Sequence, residues 1–118
     1  MRLNHLNLTV TDVSAAKSFL QKYFGLTTES KAPDDERFCL LRDDNDMAIA
    51  LMRGAPNAEV SYPGTFHIGF VQPNDQAVDA INQRLVKDGY DVAPARRFHG
   101  SWTFYLTAPG GFAVEVMA

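Results

Sequence analysis

The chain has 118 residues, 46% of them hydrophobic and 21% charged, with 14 Asp and Glu against 11 Lys and Arg for a net charge of −3. That is one domain's worth of chain, long enough to bury a core without disulfide or metal staples. The acidic balance excludes nucleic acid and anionic membrane as expected partners, since both select basic surface, and no apolar run approaches membrane-spanning length.

In chain order, residues 3–10 alternate. Leu6, Leu8 and Val10 point one way and His5, Asn7 and Thr9 the other, as a half-buried strand requires. This strand begins almost at Met1, which leaves no room for a signal peptide. The lone Cys39 has no disulfide partner and no CxxC context, so a reducing cytoplasm is the expected compartment. Asp12 and Ser14 offer capping side chains for a helix through Phe24, whose Ala15, Ala16, Phe19, Leu20 and Tyr23 recur at helical spacing, with Gly25 as its stop. Lys31–Glu36 is polar, contains a proline, and predicts a loop. Strands are expected at Phe38–Leu41 and Met47–Met52, around a turn at Asp43–Asp46. Residues 53–64, with two glycines and two prolines, predict a linker.

The pattern then restarts. Thr65–Val71 predicts a strand. Asn74 or Asp75 caps a helix carrying Ala77, Val78, Ile81 and Leu85, which ends at Lys87-Asp88-Gly89. Strands are expected at Tyr90–Ala93, Trp102–Leu106 and Phe112–Met117, the last two joined through Pro109-Gly110-Gly111. Strand–helix–strand–strand–strand thus occurs twice, predicting a pseudo-twofold α+β fold of two modules. The expected limits are about 1–53 and 65–118, joined by a linker at about 54–64. His5-Leu6-Asn7-Leu8 aligns with His67-Ile68-Gly69-Phe70, and Met47–Met52 with Phe112–Met117, which sets Ala50 opposite Glu115.

Two histidines and a carboxylate occupy special places in this repeat: His5, His67 and Glu115. Two imidazoles and one carboxylate are the facial-triad ligand set, which holds a divalent metal and leaves positions open for substrate or water. Taken singly, each has a plainer reading, as a hydrogen-bonded strand histidine or an edge carboxylate.

The opening Asn4-His5-Leu6-Asn7-Leu8-Thr9-Val10-Thr11-Asp12, the helix ending Tyr23-Phe24-Gly25-Leu26, the second opening Thr65-Phe66-His67-Ile68-Gly69-Phe70 and the closing Phe104-Tyr105-Leu106 through Glu115 together resemble the vicinal oxygen chelate superfamily. That group includes glyoxalase I, extradiol dioxygenases, and fosfomycin- and bleomycin-resistance proteins. The resemblance covers essentially the whole chain. It implies two βαβββ modules whose curved mixed sheets surround a cavity, and it implies His5, His67 and Glu115 as ligands of one divalent ion (iron, manganese, nickel or zinc). It also implies a small-molecule substrate and a homodimer, whose sites can be shared so that one subunit gives the first histidine and its partner the second histidine and the glutamate.

The departures matter. Ala50 stands where glyoxalase I proteins carry a fourth ligand and catalytic carboxylate. Thr107-Ala108-Pro109-Gly110-Gly111 lacks both aspartates of the usual turn, and Asn7 replaces the threonine that fosfomycin-resistance proteins carry beside the first histidine. Tyr105 lies where those proteins have a substrate-contacting tyrosine. The expected function is a metal-dependent enzyme of the isomerase, lyase, transferase or dioxygenase type. A non-catalytic sequestering protein and a fosfomycin-resistance-type thiol transferase are the alternatives.

Tyr105, Asn7, Trp102 and His99 are candidate substrate contacts, weighed against ordinary packing for the aromatics; Arg96–Ser101 reads first as a solvated loop near the cavity mouth and second as a contact for an anionic substrate. Asp43-Asp44-Asn45-Asp46 lacks the spacing and terminal glutamate of a calcium loop and predicts a solvated hairpin turn.

Overall fold

The computed structural model describes residues 1–28 and 35–118. The expected loop at Lys31–Glu36 lies outside the described residues as far as Asp34. Among the described residues there are two helices and seven strands: β1 (His5–Val10), α1 (Val13–Phe24), β2 (Phe38–Arg42), β3 (Ala48–Arg53), β4 (Ile68–Val71), α2 (Asp75–Lys87), β5 (Arg96–Phe98), β6 (Ser101–Ala108) and β7 (Phe112–Met117). The strands form two mixed sheets, ordered β1-β3-β2 and β4-β7-β6-β5. The fold is α+β, as expected. The chain divides into two compact units, Met1–Tyr62 with Ala108–Phe112, and Pro63–Thr107 with Ala113–Ala118.

In the first unit α1 begins where the Asp12 carboxylate accepts the Ala15 N–H at 2.8 Å, satisfying a donor that the first helical turn cannot. It ends at Gly25, whose φ of 70° is the left-handed stop glycine adopts at least cost. The helix buries Val13, Ala16, Phe19, Leu20 and Tyr23, and the sheet buries Leu8, Val10, Leu41 and Leu51. Burying side chains of this size contributes roughly 1.5–3 kcal/mol each before chain entropy is counted. Thr27 bridges Arg42 by an isolated antiparallel pair, a rudiment of a fourth strand.

The acidic turn is a structural device. Asp43 Oδ1 accepts the N–H groups of Asn45 and Met47 at 2.8 and 2.9 Å, and Asp46 pairs with Arg42. Gly110, in the β6–β7 turn, also belongs to this unit. Its carbonyl accepts the Thr11 N–H at 3.1 Å.

In the second unit Asn74, rather than Asp75, caps α2 by accepting the Ala77 N–H at 2.9 Å. Val78, Ile81, Asn82 and Leu85 form the buried stripe of α2. Two details differ from the sequence expectation. Tyr90–Ala93 is not a strand: the Tyr90 N–H donates to Leu85 O and the Asn82 side chain donates to Ala93 O, so this segment follows the end of α2. The extra strand forms instead at Arg96–Phe98, paired with Ser101–Thr103. The opening strand also starts later than expected, at Ile68, because Phe66 N–H closes a turn onto Pro63 O. His67 is therefore the residue just before the strand.

The two parallel strand pairs share one register. Leu6 pairs with Ile49 and Asn7 with Ala50, while Ile68 pairs with Val114 and Gly69 with Glu115. Placing Asn7 over Gly69 therefore places Ala50 over Glu115, the correspondence drawn from the repeat.

Candidate functional site

β7 alternates buried and half-buried residues. Phe112, Val114 and Val116 are buried, while Ala113, Glu115 and Met117 lie on the other face. Period two fixes this division. Glu115 nevertheless keeps only 12% of its side-chain surface exposed, so its carboxylate needs partners to offset lost hydration. It has three. Oε1 accepts the Tyr105 hydroxyl at 2.6 Å and lies 2.9 Å from Thr103 Oγ1, and Oε2 lies 3.2 Å from His67 Nε2.

Thr103 is itself almost wholly buried, and its single hydroxyl proton is shared between Glu115 Oε1 and Val116 O, each 2.9 Å away. Tyr105 stands edge-on to His67, with ring centroids 5.4 Å apart. Its hydrogen bond to Glu115 pushes the phenol's pKa upward, with burial and the Glu115 charge adding and the nearby Arg96 charge opposing. Tyr105 is thus a neutral hydrogen-bond donor across the physiological range.

His67 is oriented from behind. Nδ1 lies 3.1 Å from the Thr65 carbonyl. A carbonyl only accepts, so Nδ1 carries the proton and Nε2 is the nitrogen turned toward Glu115. Gly69 stands beside Glu115 in the register, and a Cβ there would come 3.9 Å from Oε2.

The other expected site residues sit elsewhere. His5 opens β1 in the first unit, exposed, with Nδ1 3.0 Å from Asn4 Oδ1. Asn7 is exposed on the same strand beside Ala50. His99 lies in the β5–β6 turn at φ 48°, its ring 3.9 Å from that of Phe98. Trp102 points to the α2 side, where its indole N–H donates to Asp79 at 2.8 Å and the Arg97 guanidinium lies 5.5 Å from its ring. Arg97 also pairs with Asp75 of α2. Among the described residues no group of three or more His, Cys, Asp or Glu side chains is arranged to hold a metal ion.

Thr103 was not singled out by the sequence. Its signal was the two-residue spacing from Tyr105 within one strand, which puts both hydroxyls on one face. Trp102, at odd spacing from Tyr105, falls on the other.

The fold agrees with comparison to known proteins. Residues 2–116 match the model of the Glyoxalase/Bleomycin resistance protein/Dioxygenase superfamily, and the chain belongs to that family. It is 29% identical over 119 residues to 2,2',3-trihydroxybiphenyl dioxygenase of Sphingomonas paucimobilis, covering 97% of this chain but only 40% of that enzyme.

Among solved structures, a possible glyoxalase from Bacillus cereus superposes with a TM-score of 0.89 at 49% identity, over 100% of this chain and 99% of the other. The fosfomycin resistance protein FosX of Listeria monocytogenes, solved with Mn(II) and 1S,2S-dihydroxypropylphosphonic acid, superposes with a TM-score of 0.75. At 23% identity, over 99% of this chain and 91% of that one, it shows the shared fold.

Proposed function

We propose that this protein is a divalent-metal-dependent enzyme acting on an oxygen-bearing small molecule, with His67 and Glu115 as metal ligands and His5 as the third. The observation that carries this reading is the His67–Glu115 pair. An imidazole nitrogen and a carboxylate oxygen face each other at 3.2 Å, and each ligand is fixed by outer partners, the Thr65 carbonyl on one side and Thr103 and Tyr105 on the other. That donor chemistry fits iron, manganese, nickel or zinc, and outer partners of this kind are what metal-binding histidines and carboxylates characteristically have.

A bound ion would supply Lewis-acid polarisation of substrate oxygens. The chain's own residues would do the rest. Thr103 and Tyr105 hold Glu115 in place through their hydroxyl protons. His5 belongs to the other unit, and its role rests on the family resemblance of the opening strand. The protein is read as a cytoplasmic homodimer in which the two histidines come from one chain or from two.

Ala50 favours a second reading. It fills the register position equivalent to Glu115, so a fourth carboxylate ligand and general base is missing there. That suits a sequestering protein as well as a three-ligand enzyme, and a thiol-transferring one remains within the same ligand set.

Equilibrium dialysis against Mn(II), Fe(II), Ni(II) and Zn(II) tests the metal. The reading predicts about one ion per chain at saturation for at least one of these metals, with uptake sharply weakened in Glu115→Ala. No uptake of any of the four by the wild-type protein would overturn it.

A further inference from the structure

We propose that Arg96 is the binding group for an anionic part of the substrate, a carboxylate or phosphonate carried apart from the oxygens that meet His67 and Glu115. This deepens the proposed function and rests on it for the identity of the site.

Two adjacent arginines on β5 have opposite surroundings. Arg97 pairs across the ladder with Trp102, and its guanidinium is engaged by Asp75 of α2 and the Trp102 ring. Arg96 pairs with Thr103. Residues paired directly across an antiparallel ladder point to the same face, and the Thr103 hydroxyl on that face reaches Glu115. Arg96 therefore shares the face of Thr103, Tyr105 and Glu115.

No ion pair or hydrogen bond occupies the Arg96 guanidinium among the described residues. It rests 4.5 Å from the centre of the Phe98 ring, two residues along the same strand. Stacking of this kind restrains a guanidinium without using its donors, leaving the planar N–H fork for a ligand. A fork of five donors matches an oxyanion bidentately. The site face thus offers a cation beside the carboxylate–imidazole pair. That arrangement would hold a substrate with its reacting oxygens at one end and its negative charge at the other.

The test is an NMR titration of methylphosphonate and benzoate, with neutral benzamide as control, followed through backbone amide resonances in every variant and through the Arg96 Nε–Hε resonance in the wild-type protein. It is run on metal-free and on zinc-loaded protein. Both anions should bind saturably and shift that resonance, and benzamide should not. Arg96→Ala should weaken anion binding by about tenfold or more, the scale of a charge-assisted bidentate contact. Arg96→Lys should recover only part, because the point charge lacks the fork, and zinc uptake should be unchanged in both variants. Anion binding of equal strength in Arg96→Ala, or no saturable binding to the wild-type protein, would overturn the proposal. Failure of zinc uptake by the wild-type protein would instead count against the metal reading, because the metal-free titration reads Arg96 independently.

Discussion

The Tyr105 hydroxyl donates to Glu115 Oε1 at 2.6 Å, on the same carboxylate whose other oxygen faces His67. The pair links a titratable phenol to the proposed metal ligand, and it gives a pH signature. Hydrogen bonding to the carboxylate favours the protonated phenol, so the Tyr105 pKa lies above its ordinary value of 10.0. Any stability from this bond is present below pH 10 and is lost as pH rises through the raised value. Phenolate absorbance of the wild-type protein minus that of Tyr105→Phe should show a late-titrating tyrosine, and Glu115→Gln should bring it down toward 10.0. A Tyr105 titration unaffected by Glu115→Gln would show that the two side chains are uncoupled in solution.

In the proposed site Thr103 and Tyr105 would act on metal through Glu115. Thr103→Val keeps the shape and removes the hydroxyl, and Tyr105→Phe removes the other donor. Each should lower metal affinity by about 10–100-fold, the usual effect of losing an outer partner of a ligand, as measured by competition with a chromophoric chelator. Neither should change the secondary structure seen by circular dichroism. Unchanged affinity in both variants would mean that Glu115 needs no positioning.

Ala50 is 4% exposed and occupies the register position equivalent to Glu115. Ala50→Glu buries a carboxylate, so the metal-free variant should melt at lower temperature than wild type. If Ala50 faces the same metal, saturating metal should restore part of that loss and affinity should rise, since a fourth ligand has been added. A melting temperature lowered equally with and without metal would place Ala50 away from the metal.

Gly110 has a φ of 98°, and a Cβ built there would lie 3.0 Å from Val10 Cβ and 3.3 Å from Ala16 Cβ. Gly110→Ala therefore combines a disfavoured backbone with a clash against the first strand and helix. It should cost about 1–3 kcal/mol of unfolding free energy, measured by urea titration at an unchanged m-value. A loss within experimental error would show that the turn relaxes freely.

Much of the fold was legible because its signals are local. Asp12, Asn74 and Gly25 cap and stop the helices through contacts within a few residues. The repeat was legible too, since matching His5 with His67 predicts the register that pairs Asn7 with Ala50 and Gly69 with Glu115. The missed strand shows the limit. Tyr90–Ala93 has the aromatic and β-branched residues of a strand, yet Asn82 captures the Ala93 carbonyl and holds the segment against α2. Arg96–Phe98 has little apolar pattern and becomes a strand through its ladder to Ser101–Thr103. The partners of Glu115 depend on which strands become neighbours. No spacing along the chain reports that a threonine and a tyrosine on β6 will hold a carboxylate on β7.

The central claim is that one divalent ion is held by two imidazoles and Glu115. Pulsed electron paramagnetic resonance of the Mn(II)-loaded protein tests it most directly, by counting histidine nitrogens coupled to the metal after ¹⁵N-histidine labelling. The account predicts two coupled imidazoles in the wild-type protein and one in either His5→Ala or His67→Ala. A manganese signal with fewer than two coupled histidine nitrogens in the wild-type protein would contradict it.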